Sequence, residues 1–188
     1  MTLHFVLKTT LAKTLNSLKM KKSVLRYGLF GSITICALFL FSWFVLKGAD
    51  MSTQEILGYA SMIISLSFVY FGIKHFRDQE NQGKVTFKKG LIIGILISLI
   101  TALAFGVLDV IYVKFINPDF LTEYYEVVLN EMKETLPAEE FKLEQTRMES
   151  EKQLFANPMM NFLIMFLTVF VIGFIISLIS SLILQRKS

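Results

Sequence analysis

The sequence predicts an all-α integral membrane protein. Four transmembrane helices carry an extracytoplasmic helical hairpin between the third and the fourth. Three observations predict it. Apolar residues are gathered into four blocks, at about 24–46, 56–73, 91–116 and 159–184. Each block meets or approaches the roughly 20 residues needed to cross a hydrocarbon core about 30 Å thick. Between the last two blocks lies a segment, 117–157, with helical spacing and many acids. A hydrophobic content of 54% with a mean hydropathy of +0.58 suits a small membrane protein better than a soluble domain.

Residues 1–19 form a basic N-terminal extension without acids. Leu3, Leu7, Leu11 and Leu15 recur at every fourth position. That spacing suits an amphipathic helix lying on the inner leaflet. Met20-Lys21-Lys22 also reads as a complete membrane-protein start, so residues 1–19 are expected to precede the natural one. From residue 20 to 188 the chain reads as one four-helix membrane domain.

The first span carries Gly28, Ser32 and Cys36 at spacing four, and Trp43 marks an interface where aromatic rings settle. No small-residue cleavage site follows, so the span reads as a retained anchor. Ile35 is too bulky for a lipoprotein site at Cys36. A single cysteine excludes an internal disulfide. The second span places Ser61 and Ser65 on one face and leads to a polar loop with a turn at Gln82-Gly83.

The third span is the most patterned. Gly90, Gly94, Ser98, Ala102 and Gly106 recur at every fourth position, and the fourth span offers Gly173, Ser177 and Ser181. Small residues at this spacing let helices approach closely in lipid. These faces are expected to pack together within one chain, with self-association through one of them as the alternative. In the hairpin, Asn117-Pro118-Asp119 reads as a cap, a first-turn proline and a first-turn acid. Leu121, Tyr125, Val128, Met132 and Leu136 follow as one helical stripe, and Pro137 interrupts it. A second helix is expected from Ala138 to about Phe155, striped by Phe141, Met148 and Phe155. Asn157-Pro158 repeats the cap and proline for the fourth span.

The net charge of +4 hides an asymmetry. Lys and Arg concentrate in 1–26, in 74–89 and at the tail, whereas acids concentrate in the hairpin. Cations in short loops stay on the cytoplasmic side. Both termini and the 74–89 loop are therefore expected in the cytoplasm, and the 47–55 loop and the hairpin outside. Lys74, Arg77, Lys84, Lys88 and Lys89 are candidates to hold anionic lipid headgroups. A basic patch beside a span points to lipid, and no nucleic-acid partner is expected.

Asp109 is the candidate ion or proton residue, because acids within spans are rare and often functional. Counting from Lys89 puts it about 30 Å along the helix, near the outer interface. Asn161, Tyr59 and Lys47 are candidate partners at that depth. His75 follows the second span and reads as a solvated interfacial histidine more readily than as a pH sensor. The hairpin acids lack calcium-loop spacing. No catalytic signature, metal-ligand set or phosphate loop is visible, so no enzymatic activity and no cofactor are expected.

With these elements in place, the chain resembles a bacterial membrane-protein family, domain of unknown function 4199. The resemblance covers roughly 20–188. It rests on Ser67-Phe68-Val69-Tyr70-Phe71-Gly72-Ile73-Lys74 with Arg77-Asp78, and on Gly83-Lys84-Val85-Thr86-Phe87 with Gly90. Asn117-Pro118-Asp119-Phe120, Asn157-Pro158 and the ending from Ile175 to Leu184 with Arg186-Lys187 add to it. The resemblance implies four spans and an inner-membrane location, with no assigned activity. Similar sequences often have an acid in the third span near Asp109, and an acid with a proline early in the fourth. Here the latter region reads Phe166-Leu167-Thr168-Val169-Phe170-Val171-Ile172-Gly173, without either. A mechanism needing two intramembrane carboxylates does not fit.

The sequence therefore leads to an envelope scaffold or accessory protein, with a lipid bilayer and either a second copy or another membrane protein as partners. The alternative is a small oligomeric proton- or cation-linked transporter or channel subunit.

Overall fold

The structure, a computed structural model, describes residues 2–45 and 51–186, with side chains from 14–45 and 52–186. Residues 46–50, Lys47 among them, and Lys187 lie outside the described residues. So do the side chains of Leu3, Leu7 and Leu11.

The described residues form six α-helices in order: α1 (Thr2–Val45), α2 (Met51–His75), α3 (Phe87–Ile111), α4 (Phe120–Thr135), α5 (Ala138–Ala156) and α6 (Pro158–Leu184). Among the described residues there is no strand beyond one isolated bridge between Val85 and Arg186. Among the described residues, four helices are long and apolar enough to cross a membrane: Thr14–Val45, Ser52–Glu80, Phe87–Ile116 and Pro158–Leu184. Their outward faces carry Ile33, Ile63, Val107 and Leu167, all exposed. Such an apolar girdle suits lipid and would be costly in water.

The central helix is α3, which packs on α6, α1 and α2. Leu66, Val69, Ile73, Ile93, Ile97, Phe105 and Val169 are fully buried between the helices. The closest packing is antiparallel, between α3 and α6. A Cβ on Gly90 would lie 3.1 Å from Ser181 Oγ, and one on Gly94 2.6 Å from Ser177 Oγ. Across the seam the order reverses, and a Cβ on Gly173 would lie 2.5 Å from Ser98 Oγ. Glycine thus faces serine at three successive levels, and the backbones close on each other as small residues allow. Ser98 and Ser177 donate to the carbonyls of Gly94 and Gly173 within their own helices, at 2.9 and 2.6 Å. Their hydroxyl oxygens meet across the seam at 3.4 Å. Ala102 is fully buried, and Gly106 gives room to the Phe162 ring.

The ends of the helices differ from the sequence expectations in three places. One unbroken helix runs from Thr2 through the first span, so residues 2–19 are not a separate helix. Leu15 and Leu18 on this extension are exposed, while Asn16 Nδ2 donates to Asn81 Oδ1 in the loop after α2. Second, α2 and α3 each end in a wider π turn, Phe76–Glu80 and Tyr112–Ile116. Third, Asn117-Pro118-Asp119 does not cap the hairpin. Asn117 lies outside the helical region, at φ −136° and ψ 81°, as the residue before a proline tends to. Helix α4 begins only at Phe120, with no side-chain cap from Asp119. Asn157 behaves as expected: its side chain accepts from the Met159 and Met160 amides, and Pro158 opens α6. The turn at Gln82-Gly83 is also present, with φ of 55° and 76°.

Candidate functional site

The site grows from the end of α3. The regular helix carries Asp109 one turn short of the π segment, on the face turned toward α6. Asn161 sits in the first turn of α6, held there by its Asn157 cap. Asn161 Nδ2 donates to Asp109 Oδ2 at 2.8 Å, and the two side chains are 2% and 6% exposed respectively. Of the candidate partners, Asn161 meets Asp109, Tyr59 is half exposed, and Lys47 is outside the described residues. A carboxylate near a membrane interface can reach water, but Asp109 is buried, and the hairpin lies across the cavity from it.

The cover is the inner face of α4 and α5. Tyr125 and Met148 are buried there, while Leu121, Val128 and Met132 are half-buried. Together with Asp109 and Asn161 these side chains line a cavity of about 500 Å³. Glu144, Arg147 and Glu151 on α5 also line it. Arg147 Nε donates to Glu151 at 3.1 Å, and its Nη1 lies 3.8 Å from Glu144. These ion pairs are exposed and contribute little stability. Burial pushes the Tyr125 phenol up to about 12, with Glu151 and Tyr124 adding to the shift. Burial also raises Tyr124, reinforced by Glu55 and Glu151.

Aromatic stacking ties the cover to the bundle. Trp43 from α1 stacks on Tyr112 with ring centroids 3.4 Å apart. Tyr112 meets Phe120 at 5.4 Å, and Phe120 meets Tyr124 at 6.3 Å. Tyr112 continues the buried face of α3, three residues after Asp109, and its N–H still bonds back to the Leu108 carbonyl. Periodicity alone could not name Trp43 as its partner, because the two rings come from distant segments.

The cationic loop divides into two groups. Lys74, Lys84 and Lys88 are exposed. Arg77 departs from that expectation. It is 8% exposed, grips neighbouring Asp78 at 2.6 and 3.0 Å, and donates to the Leu184 carbonyl at 3.3 Å. The π turn swings it under the bundle, where it satisfies one of the carbonyls left open at the end of α6. Lys89 is also turned inward, donating to Asn16 Oδ1 at 2.7 Å, with its Nζ 5.0 Å from the Phe76 ring centre. The His75 ring packs against Tyr27 at 5.5 Å. Among the described residues, no three His, Cys, Asp or Glu side chains gather as a metal-ligand set.

Comparison with known proteins adds one relationship. No curated protein and no solved structure matches the chain. A family model described as a protein of unknown function, DUF4199, matches residues 26–186. That range takes in the first membrane-length helix from Arg26 onward, the other three whole, the hairpin and the Asp109–Asn161 pair, and the chain belongs to this family of unknown function.

Proposed function

We propose that the protein is a non-enzymatic accessory or scaffold protein of the bacterial inner membrane. It spans the bilayer four times, keeps both termini in the cytoplasm and presents its hairpin outside. The hairpin engages a second copy or another membrane protein through its outward acids. The observation that carries this reading is the division of labour between the bundle and the hairpin. Between the spans the core is filled by side chains in close contact, with glycine against serine and with buried Ile and Leu. The outward face of the hairpin carries Glu126, Glu131, Glu134, Glu139, Glu140 and Glu149, all exposed. Charge displayed on a short hairpin steers and selects a partner more than it supplies affinity.

A second reading rests on Asp109. A buried carboxylate in a span that also lines a cavity suits a small proton- or cation-linked transporter or channel subunit, provided copies assemble to form the path. Two experiments separate the readings. Loss of cation- or proton-dependent flux in vesicles on Asp109→Asn supports transport. Silence of that change, with loss of a co-purifying protein when residues 119–155 are replaced by a short linker, supports the accessory role. Orientation is tested with a cysteine at Glu131 in a Cys36→Ser background. Labelling of intact cells by an impermeant maleimide is expected, and protection from it would reverse the topology.

A further inference from the structure

The cavity under the hairpin serves neither the packing of the spans nor the outward acidic surface. Its volume, about 500 Å³, falls within the roughly 300–1,000 Å³ of small-molecule sites. Its floor is a buried polar pair. Asp109 accepts one N–H from Asn161, and among the described residues it forms no ion pair. An ionised carboxylate can only accept, and a buried one calls for a compensating cation or donor. The cation in the lining is Arg147, which is already bridged to Glu144 and Glu151 on its own helix. Three carboxylates against one guanidinium leave the lining acidic. The walls add the aromatic rings of Tyr124 and Tyr125 and the thioether of Met148. Aromatic faces attract cations, and the same rings accept an apolar body.

We propose that this cavity binds an amphipathic ammonium compound, its protonated amine on Asp109 and its apolar body against Tyr124, Tyr125 and Met148. The amine comes either from a lipid headgroup of the outer leaflet or from a soluble lipophilic amine. Binding here is independent of what the outer face of the hairpin engages, so either idea can fail alone.

The test uses the full chain in dodecyl maltoside micelles, whose headgroup carries no ammonium, near neutral pH. Phenylbutylamine is titrated beside phenylbutanol and phenylbutyrate by calorimetry. The amine is expected to saturate and to bind at least about tenfold tighter than the alcohol, with no binding of the carboxylate. Asp109→Asn is expected to remove that preference. Met132→Trp fills the cavity from α4 without touching the polar pair and is expected to abolish binding. It decides the matter should Asp109→Asn fail to fold. Competition by phosphatidylethanolamine, but not by phosphatidylglycerol, assigns the amine to a lipid; absence of competition assigns it to a soluble compound. Equal affinity for amine and alcohol, or full affinity retained by the variants, would overturn the proposal.

Discussion

Substituting Gly94 by alanine tests the α3–α6 seam directly. The new Cβ would sit 2.7 Å from Ser177 Cβ, 2.6 Å from Ser177 Oγ and 3.1 Å from Val69 Cγ1. Carbon atoms pack best at about 3.5–4.0 Å, so the shortfall at Ser177 Cβ is close to an ångström. Ser177 Cβ is tied to the backbone and cannot swing away, so α6 must retreat as a body. Overpacking of this kind costs about 1–3 kcal/mol. Ser177→Gly clears the obstacle at a cost of roughly 0.5–1 kcal/mol for a glycine within a helix. The double variant Gly94→Ala/Ser177→Gly should therefore regain about 1–2 kcal/mol relative to the sum of the single changes. Gly58→Ala is the control, because nothing lies within 4 Å of its added Cβ. It should be neutral or slightly stabilising. Stability is read from unfolding of the full chain in mixed detergent, followed by fluorescence of Trp43, the only tryptophan. Strict additivity of the two single changes would refute the face-to-face register of glycine against serine.

Four other outcomes are expected. Asp109→Ala strands the Asn161 amide and should lower stability by about 1–3 kcal/mol, whereas Asp109→Asn keeps a hydrogen-bonding partner and should cost less; the same detergent unfolding compares them. Asn157→Ala removes the cap of α6 and should cost about 1 kcal/mol, seen as faster hydrogen exchange at Met159 and Met160. Arg77→Met should cost about 1.5–3 kcal/mol by releasing the Leu184 carbonyl from a charged donor, and limited proteolysis should then cut sooner near residue 185. Tyr125 ionises less readily folded than unfolded, so its contribution is intact below the ordinary tyrosine value and fades as pH climbs toward about 12. Alkaline titration of hairpin stability should show that loss, and Tyr125→Phe should blunt it.

Transport and scaffolding make different demands on a four-helix bundle. A water path needs polar side chains aligned along the bilayer normal. Here Ser61, Ser65, Ser98, Thr101 and Ser177 are buried, but their hydroxyls bond backward to carbonyls one turn earlier in the same helix. Such hydroxyls satisfy themselves and stabilise close helix contact. Asp109 and Asn161 stand apart from them at the hairpin end.

Much of this architecture was legible in the sequence because lipid imposes a simple rule: a crossing segment must be long, apolar and internally hydrogen-bonded. The four spans, the two hairpin helices, the Asn157-Pro158 start and the turn at Gln82-Gly83 all follow from composition and local backbone preference. The glycine–serine spacing also marked which faces of α3 and α6 could meet. Sequence could not specify events that depend on two distant segments at once. The inward turn of Arg77 needs both a π turn after α2 and an open carbonyl at Leu184. The cover over Asp109 needs the hairpin to fold back, held by Tyr112, Phe120 and Trp43 from three parts of the chain. Periodicity reports which face of a helix is apolar, because that is a property of neighbours in sequence. Only the tertiary structure decides which apolar face covers which charge, because burial is a property of neighbours in space.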